Sequence, residues 1–181
     1  MPLRFVTTND GKVREARDYL AGITDVEQFD YDYAEIQSDD LAEIAARGAR
    51  EAFEAAGGED PVIVDDAGLF VDGLGGFPGP YSAYVEGTLG VERVWELAED
   101  LDDRSASFRC VVAYADESQV TTFRGAVPGT IVAPRGDGGF GYDPIFEHDG
   151  ETFAEMATAE KNDLSHRGRA LEKLANWLAD A

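Results

Sequence analysis

Apolar positions along the 181 residues repeat at two different periods, the mark of a mixed α/β chain. Leu3 to Thr7 (LRFVT) reads as a first strand, and after Asn9-Asp10-Gly11 the apolar Val13, Ala16 and Leu20 recur at helical spacing. A second helix is expected from Leu41 to Ala56, with Leu41, Ile44, Ala45, Ala49, Ala52, Phe53 and Ala56 along one side and Gly57-Gly58 as its stop. Pro61 to Asp66 (PVIVDD) is a short apolar run ending in acids, which suits a buried central strand. Gly73 to Gly79 reads as a loop and Val91 to Leu101 as another helix. Residues 107–115 and 119–124 are two β-rich runs joined by Asp116-Glu117-Ser118, a hairpin signature, with Gly129 to Val132 as an added edge. The last helix places Ala170, Leu171, Leu174, Trp177 and Leu178 on one face. No internal repeat or low-complexity linker interrupts the pattern.

Length and composition change this picture little. A chain of this size buries about 70% of its unfolded surface, so residues 1–181 are expected to form a single domain, with room for two lobes. The one cysteine, Cys110 in SFRCVVAYA, reads as a small buried hydrophobe and allows no disulfide within the chain. Met1 leads straight into LRFVT without a basic segment and apolar core, and no apolar run approaches a membrane span. A soluble, cytoplasmic protein is expected.

Charge changes it more. With 15 basic and 37 acidic residues the formal net charge is −22, spread along the chain. Such a surface repels itself and any polyanion. Two readings compete: adaptation to concentrated salt, where the repulsion is screened, and a partly disordered acidic interaction protein. Regular apolar periodicity favours the first. Nucleic-acid binding is disfavoured, because no basic patch or stripe is present to release counterions from phosphates.

Against that acidity the few cations stand out. The chain has three lysines (Lys12, Lys161, Lys173) and two histidines (His148, His166), and Lys161, His166 and Arg167 fall together in EKNDLSHRG. Ser165 is a good N-cap for the last helix, which puts His166 and Arg167 in its first turn. Cations there oppose the helix dipole, which makes sense against an electron-rich ligand; the plainer reading pairs them with surplus acids such as Asp163. The first loop, Thr7-Thr8-Asn9-Asp10-Gly11-Lys12, joins a strand to a helix N-terminus, where free N–H groups favour phosphate and Lys12 adds a charge. It lacks Walker A spacing, and an Asn-Asp-Gly turn capping a helix accounts for most of it.

Asp65 and Asp66 point to opposite faces of their strand, which argues against a carboxylate dyad. One of them should face the loops at the strand's C-terminal end, where open α/β sheets bind ligands. The plainer reading is a polar strand end. Glu43 follows Asp40 by three, fitting a capping box plus an i,i+4 pair with Arg47; it is equally a hard oxygen donor for Mg2+.

Taken in order and spacing, TTNDGK, the acidic helix with Glu43, VDDAGLFVDGLGGFPGPYSA, GGFGYDPIF and EKNDLSHRGRAL resemble the inosine/xanthosine triphosphate pyrophosphatase family over essentially the whole chain. The resemblance implies an α/β fold with a long central mixed sheet flanked by helices, two lobes with the active site in a cleft between them, and a homodimer. It implies Mg2+-dependent hydrolysis of non-standard purine nucleoside triphosphates (ITP, dITP, XTP) to monophosphate and pyrophosphate, a house-cleaning activity. Residue by residue, it implies that Thr7, Thr8, Asn9, Asp10, Gly11 and Lys12 cradle the phosphates and that Glu43 and Asp66 hold Mg2+, with Asp66 also the general base. Phe140, Gly141, Tyr142, Asp143, Lys161, His166 and Arg167 would bind the nucleotide, Phe140 stacking on the base and His166 and Arg167 meeting the purine 6-oxo edge. Ala67, next to Asp66, is counted with these substrate-binding residues.

The chain departs from the family pattern at three places. Thr8 stands where glycine is usual, Ala67 where many members carry Ser or Thr, and Gly48 where bacterial relatives commonly carry lysine, with Arg47 and Arg50 as candidate substitutes. Two other functions remain in play: a catalytically silent purine nucleotide sensor, which should lack a metal or base carboxylate, and a Mg2+-dependent hydrolase releasing orthophosphate. The acidic surface generates a direct prediction. Circular dichroism should show loss of structure as KCl is lowered from about 2 M to about 0.05 M, and an unchanged signal would remove the salt-adapted reading.

Overall fold

The computed structural model describes residues 1–157, 160–161 and 164–180. Seven strands form one mixed sheet in the order β2-β1-β3-β4-β5-β6-β7: β1 (Leu3–Val6), β2 (Val26–Phe29), β3 (Val62–Val71), β4 (Ser105–Ala115), β5 (Val120–Ile131), β6 (Phe146–His148) and β7 (Glu151–Thr152). Pairing is parallel where β1 meets β2 and β3, and antiparallel where β6 meets β5 and β7. Helices α1 (Asp10–Tyr19), α2 (Leu41–Ala55), α3 (Ser82–Leu89), α4 (Val91–Ala98) and α5 (His166–Asp180) accompany the sheet. No helix among the described residues is long and apolar enough to cross a membrane. The chain divides into two compact units, the first made of Met1–Asp66, Cys110–Gly125 and Arg167–Ala181, the second of Ala67–Arg109 and Ala126–His166.

In the first unit most residues of the expected apolar faces are buried, with Ala56, Trp177 and Leu178 half-buried. Val13, Ala16 and Leu20 are buried, as are Leu41, Ile44, Ala45, Ala49, Ala52 and Phe53 of α2 and Ala170, Leu171 and Leu174 of α5. Trp177 of α5 meets the rings of Tyr114 and Phe123 at centroid distances of 5.1 and 5.6 Å. Cys110 is buried, and desolvation pushes its thiol pKa up, as a packing residue requires. The hairpin turn forms as expected: Asp116 Oδ1 accepts from the Ser118 and Gln119 amides at 2.8 and 2.9 Å.

In the second unit Leu69, Val71, Val94, Ile145, Phe146 and Phe153 share one core, with Phe108 packed on it. The helix expected to reach Leu101 ends at Ala98, and α3 just before it was absent from the periodicity because only Ser82 and Val85 of its eight residues are buried. Gly129 to Val132 is not a separate edge. Residues up to Ile131 belong to β5, which runs on through Gly125 and Pro128. Glycine at 129 is what permits this, since a Cβ there would lie 2.4 Å from Glu147 O as β6 pairs alongside.

A larger correction concerns β3, which does not stop at Asp66 but continues through Ala67, Gly68, Leu69 and Phe70 to Val71. Gly68 allows the chain to fold back closely, as a Cβ there would sit 2.1 Å from Gly79 O. The Ser82 hydroxyl secures that approach by donating to Gly79 O at 2.6 Å while accepting from the Leu69 amide at 2.8 Å. The acids are therefore internal to a strand whose other residues are mostly buried, and Asp65 is itself 8% exposed.

A buried carboxylate needs neutralisation. Lys12 Nζ of α1 donates to Asp65 Oδ1 at 2.9 Å, and Arg167 Nε of α5 to Asp65 Oδ2 at 2.6 Å. Arg167 Nη1 also reaches Glu15 Oε2 of α1 at 3.2 Å. Burial alone would push the Asp65 carboxyl pKa up; Lys12 and Arg167 outweigh it and hold the pKa at about 2, against 3.8 ordinarily. A carboxyl whose pKa is depressed on folding adds stability above its unfolded pKa and loses it as pH falls through the folded value. The contribution of this cluster should therefore fade between about pH 4 and pH 2, seen as a steep segment in acid denaturation. Asp65→Asn, which strands two cations, should cost about 3 kcal/mol at neutral pH by denaturant titration and remove that segment.

Candidate active site

The first loop is built around Asn9. Its side chain caps α1, Oδ1 accepting from the Gly11 and Lys12 amides at 2.8 and 3.3 Å, and its own amide donates to Thr7 Oγ1 at 3.1 Å. The capping reading of this turn is thus realised. Thr8, Asn9 and Asp10 remain exposed, with Thr7, Gly11 and Lys12 half-buried. Lys12 is committed to Asp65, yet an ammonium has three donors and this pair engages one of them.

Asp66, next along β3, projects to the face opposite Asp65 and is half-buried, as is Ala67. Desolvation and the negative charges of Glu35, Asp66 and Asp65 push the Tyr33 phenol pKa up, so this phenol shares an acidic environment with Asp66. Tyr33 also explains Gly48: a Cβ at 48 would meet Tyr33 ring atoms at 2.5 to 2.8 Å, so the ring occupies the space of a side chain there. Arg50 does not stand free to substitute for a lysine, because it donates to Asp116 O at 2.7 Å and lies over the Phe53 ring.

Glu43 sits exposed in the first turn of α2, which Asp40 caps by accepting from the Ala42 amide at 2.9 Å. The expected capping box is relayed. Ser38 Oγ accepts from the Asp40 amide at 3.1 Å and donates to Glu43 Oε2 at 2.7 Å, so Glu43 does not reach back itself. No group of three or more His, Cys, Asp or Glu among the described residues is arranged to hold a metal.

The second unit holds the aromatic part of the set. Phe140 is 80% exposed, and Lys161 Nζ lies 4.3 Å from its ring centroid. Asp143, 3% exposed, pairs with Lys161 and accepts from the Phe140 amide at 2.8 Å. Tyr142 is buried and its hydroxyl donates to Ser82 O at 2.8 Å, anchoring the turn between them. Gly139 and Gly141 have φ of 70° and 60°, which glycine adopts without strain. His166 stacks on Phe108 with centroids 5.4 Å apart and planes 16° from parallel, which fixes the direction of its ring edge.

The residues expected from the sequence are therefore distributed over two groups, Thr7 to Lys12, Glu43, Asp66 and Arg167 in one unit and Phe140 to Asp143, Lys161 and His166 in the other. Arg167 does pair with acids, as the plainer reading held, but with Asp65 and Glu15; Asp163 lies outside the described residues. Sequence reasoning missed Asp65 as the centre of the cation cluster, Ser38 as the partner of Glu43, and Phe108 beneath His166. Only Asp65 left a signal: an ionisable residue closing the fully apolar VIV in a chain with few cations.

Residues 3–177 match the Ham1 family. The dITP/XTP pyrophosphatase of Methanopyrus kandleri is 51% identical over 98% of this chain and 96% of its own length. That of Thermococcus kodakarensis is 49% identical over 99% of this chain and 98% of its own. A solved HAM1 protein from Coxiella burnetii superposes with a TM-score of 0.89 at 33% identity, covering 100% of both chains. With the sequence motifs and the fold agreeing along the full length of these relatives, the chain belongs to the Ham1 family.

Proposed function

We propose that the protein hydrolyses non-standard purine nucleoside triphosphates, ITP, dITP and XTP, to the nucleoside monophosphate and pyrophosphate. The observation that carries this reading is the near end-to-end match to relatives named dITP/XTP pyrophosphatase, with Asp66, Glu43 and both cationic motifs present. A silent sensor would not need both carboxylates. In this reading the protein is a cytoplasmic homodimer that clears deaminated purines from the nucleotide pool.

The chemistry required is attack of water on the α-phosphorus, with cleavage of the bond from that phosphorus to the bridging oxygen and departure of pyrophosphate. Asp66 takes the proton from the attacking water, a role open to a half-buried carboxylate at a strand face. The Thr8 hydroxyl, the Asn9 amide group and the remaining Lys12 donors would bind the phosphates, which a protein of charge −22 otherwise repels. Glu43 and Asp66 would hold Mg2+, whose chemistry when bound is to neutralise charge on phosphate oxygens.

Base choice follows from donor polarity. His166 and Arg167 present N–H groups, which a 6-oxo purine accepts and a 6-amino purine opposes donor to donor. A buried group left unpaired costs about 1–3 kcal/mol, so ATP should be disfavoured by about tenfold or more in kcat/KM. Phe140 offers the exposed ring on which a base can stack.

Product analysis in high KCl with Mg2+ tests the proposal. ITP and XTP should yield monophosphate and pyrophosphate, and turnover should cease in chelator and return with Mg2+. Asp66→Asn should lower kcat on the order of 100-fold or more. Orthophosphate as the product would place the attack at a different phosphorus, and tight ITP binding without turnover would favour the sensor.

A further inference from the structure

The GGFGYD segment contains a side chain whose role its neighbours define. The Asp143 carboxylate is 3% exposed, too enclosed to serve chiefly as a contact for a ligand, and among the described residues its side-chain contacts lead to Phe140 and Lys161, both of the nucleotide-binding set. Oδ2 accepts from the Phe140 backbone amide at 2.8 Å and pairs with the Lys161 ammonium. That ammonium in turn lies 4.3 Å from the Phe140 ring centroid and 5.9 Å from that of Phe153. Phe140 itself is 80% exposed. An aromatic ring so exposed has little core packing to fix it, and among the described residues it is held by the Asp143 carboxylate at its amide, by the Asp143 amide donating to its carbonyl at 3.3 Å, and by one cation at its face.

Gly139 makes room for the same carboxylate. A Cβ at Gly139 would stand 2.1 Å from Asp143 Oδ2, so any larger residue there would displace the acid. The turn is pinned from behind by the buried Tyr142 hydroxyl on Ser82 O and by the Ala154 amide donating to Asp143 O at 3.2 Å. The carboxylate is therefore held in place before any ligand arrives, and it holds Phe140 and Lys161 in a fixed relation.

We propose that Asp143 is a positioning residue, which through the Phe140 amide and the Lys161 ammonium preforms an aromatic-cation platform for the planar base of the substrate. This rests on the nucleotide reading above and deepens it: Asp143 acts through its neighbours and contributes to base binding without being a principal ligand contact. Because the platform serves the base, its loss should separate base affinity from phosphate affinity.

Two variants test this. Asp143→Asn keeps an oxygen for the Phe140 amide and removes the charge facing Lys161, whereas Asp143→Ala removes both. In protein without substrate, hydrogen exchange at the Phe140 amide should accelerate about tenfold in Asp143→Ala and little in Asp143→Asn. Both variants should raise KM for ITP about tenfold, more than they lower kcat, and weaken inhibition by IMP by a similar factor. Inhibition by inorganic tripolyphosphate should be unchanged, which a general loss of structure could not produce. An Asp143→Asn protein that binds IMP as the wild type does, or one in which IMP and tripolyphosphate weaken together, overturns the proposal. If Asp143→Ala does not fold, Asp143→Asn decides alone. A wild-type protein that releases no pyrophosphate from ITP overturns the functional reading separately, and the exchange measurement then still decides whether Asp143 holds Phe140.

Discussion

Placing a carboxylate inside a strand of the central sheet is the constraint on which the first unit depends. Asp65 lies where water does not reach, so it can remain ionised only beside fixed positive charge. Lys12 comes from the first turn of α1 and Arg167 from the first turn of α5, so one carboxylate ties two helix N-termini to one strand. Cations near helix N-termini are unfavourable in isolation. Asp65 offsets that cost, and the three charges are stable as a group where none would be alone. The strand also carries Asp66, and since adjacent side chains on a strand point oppositely, anchoring Asp65 fixes the direction in which Asp66 projects.

The second unit solves a different problem with similar means. An exposed phenylalanine has no core to orient it, so its backbone amide is held by a buried aspartate and its face by a lysine. His166 is likewise aligned by stacking on Phe108, itself packed against Phe146 at 4.6 Å between centroids. In both units, then, the motif cations Lys12, Lys161 and Arg167 are positioned by buried carboxylates, where screening by salt is weakest.

The departures from the family pattern become intelligible in the same terms. Gly48 is not simply a missing charge, because the Tyr33 ring fills the space a side chain would need, and Arg50 is engaged with the backbone of the hairpin turn. Thr8 is exposed on a turn whose geometry is set by Asn9, so its extra atoms meet solvent and leave the cap undisturbed.

Much was legible in the sequence wherever one residue type dictates local structure: the amphipathic faces of α1, α2 and α5, the Asp40 and Asn9 caps, the Asp116 turn, and the order of the motifs. These depend on periodicity and on hydrogen bonds between residues close in the chain, so neighbours in sequence suffice to predict them. What failed to show was set by contacts between residues distant in sequence. β3 runs through two acids because Lys12 and Arg167, 53 and 102 residues away, neutralise one of them. β5 runs through Pro128 and Gly129 because β6 packs where a side chain would otherwise be. The sequence by itself determined which residues carry charge, aromatic rings and carboxylates in family order; the tertiary structure decided which of those charges neutralise one another, because pairing depends on distance in space and on the water that burial removes.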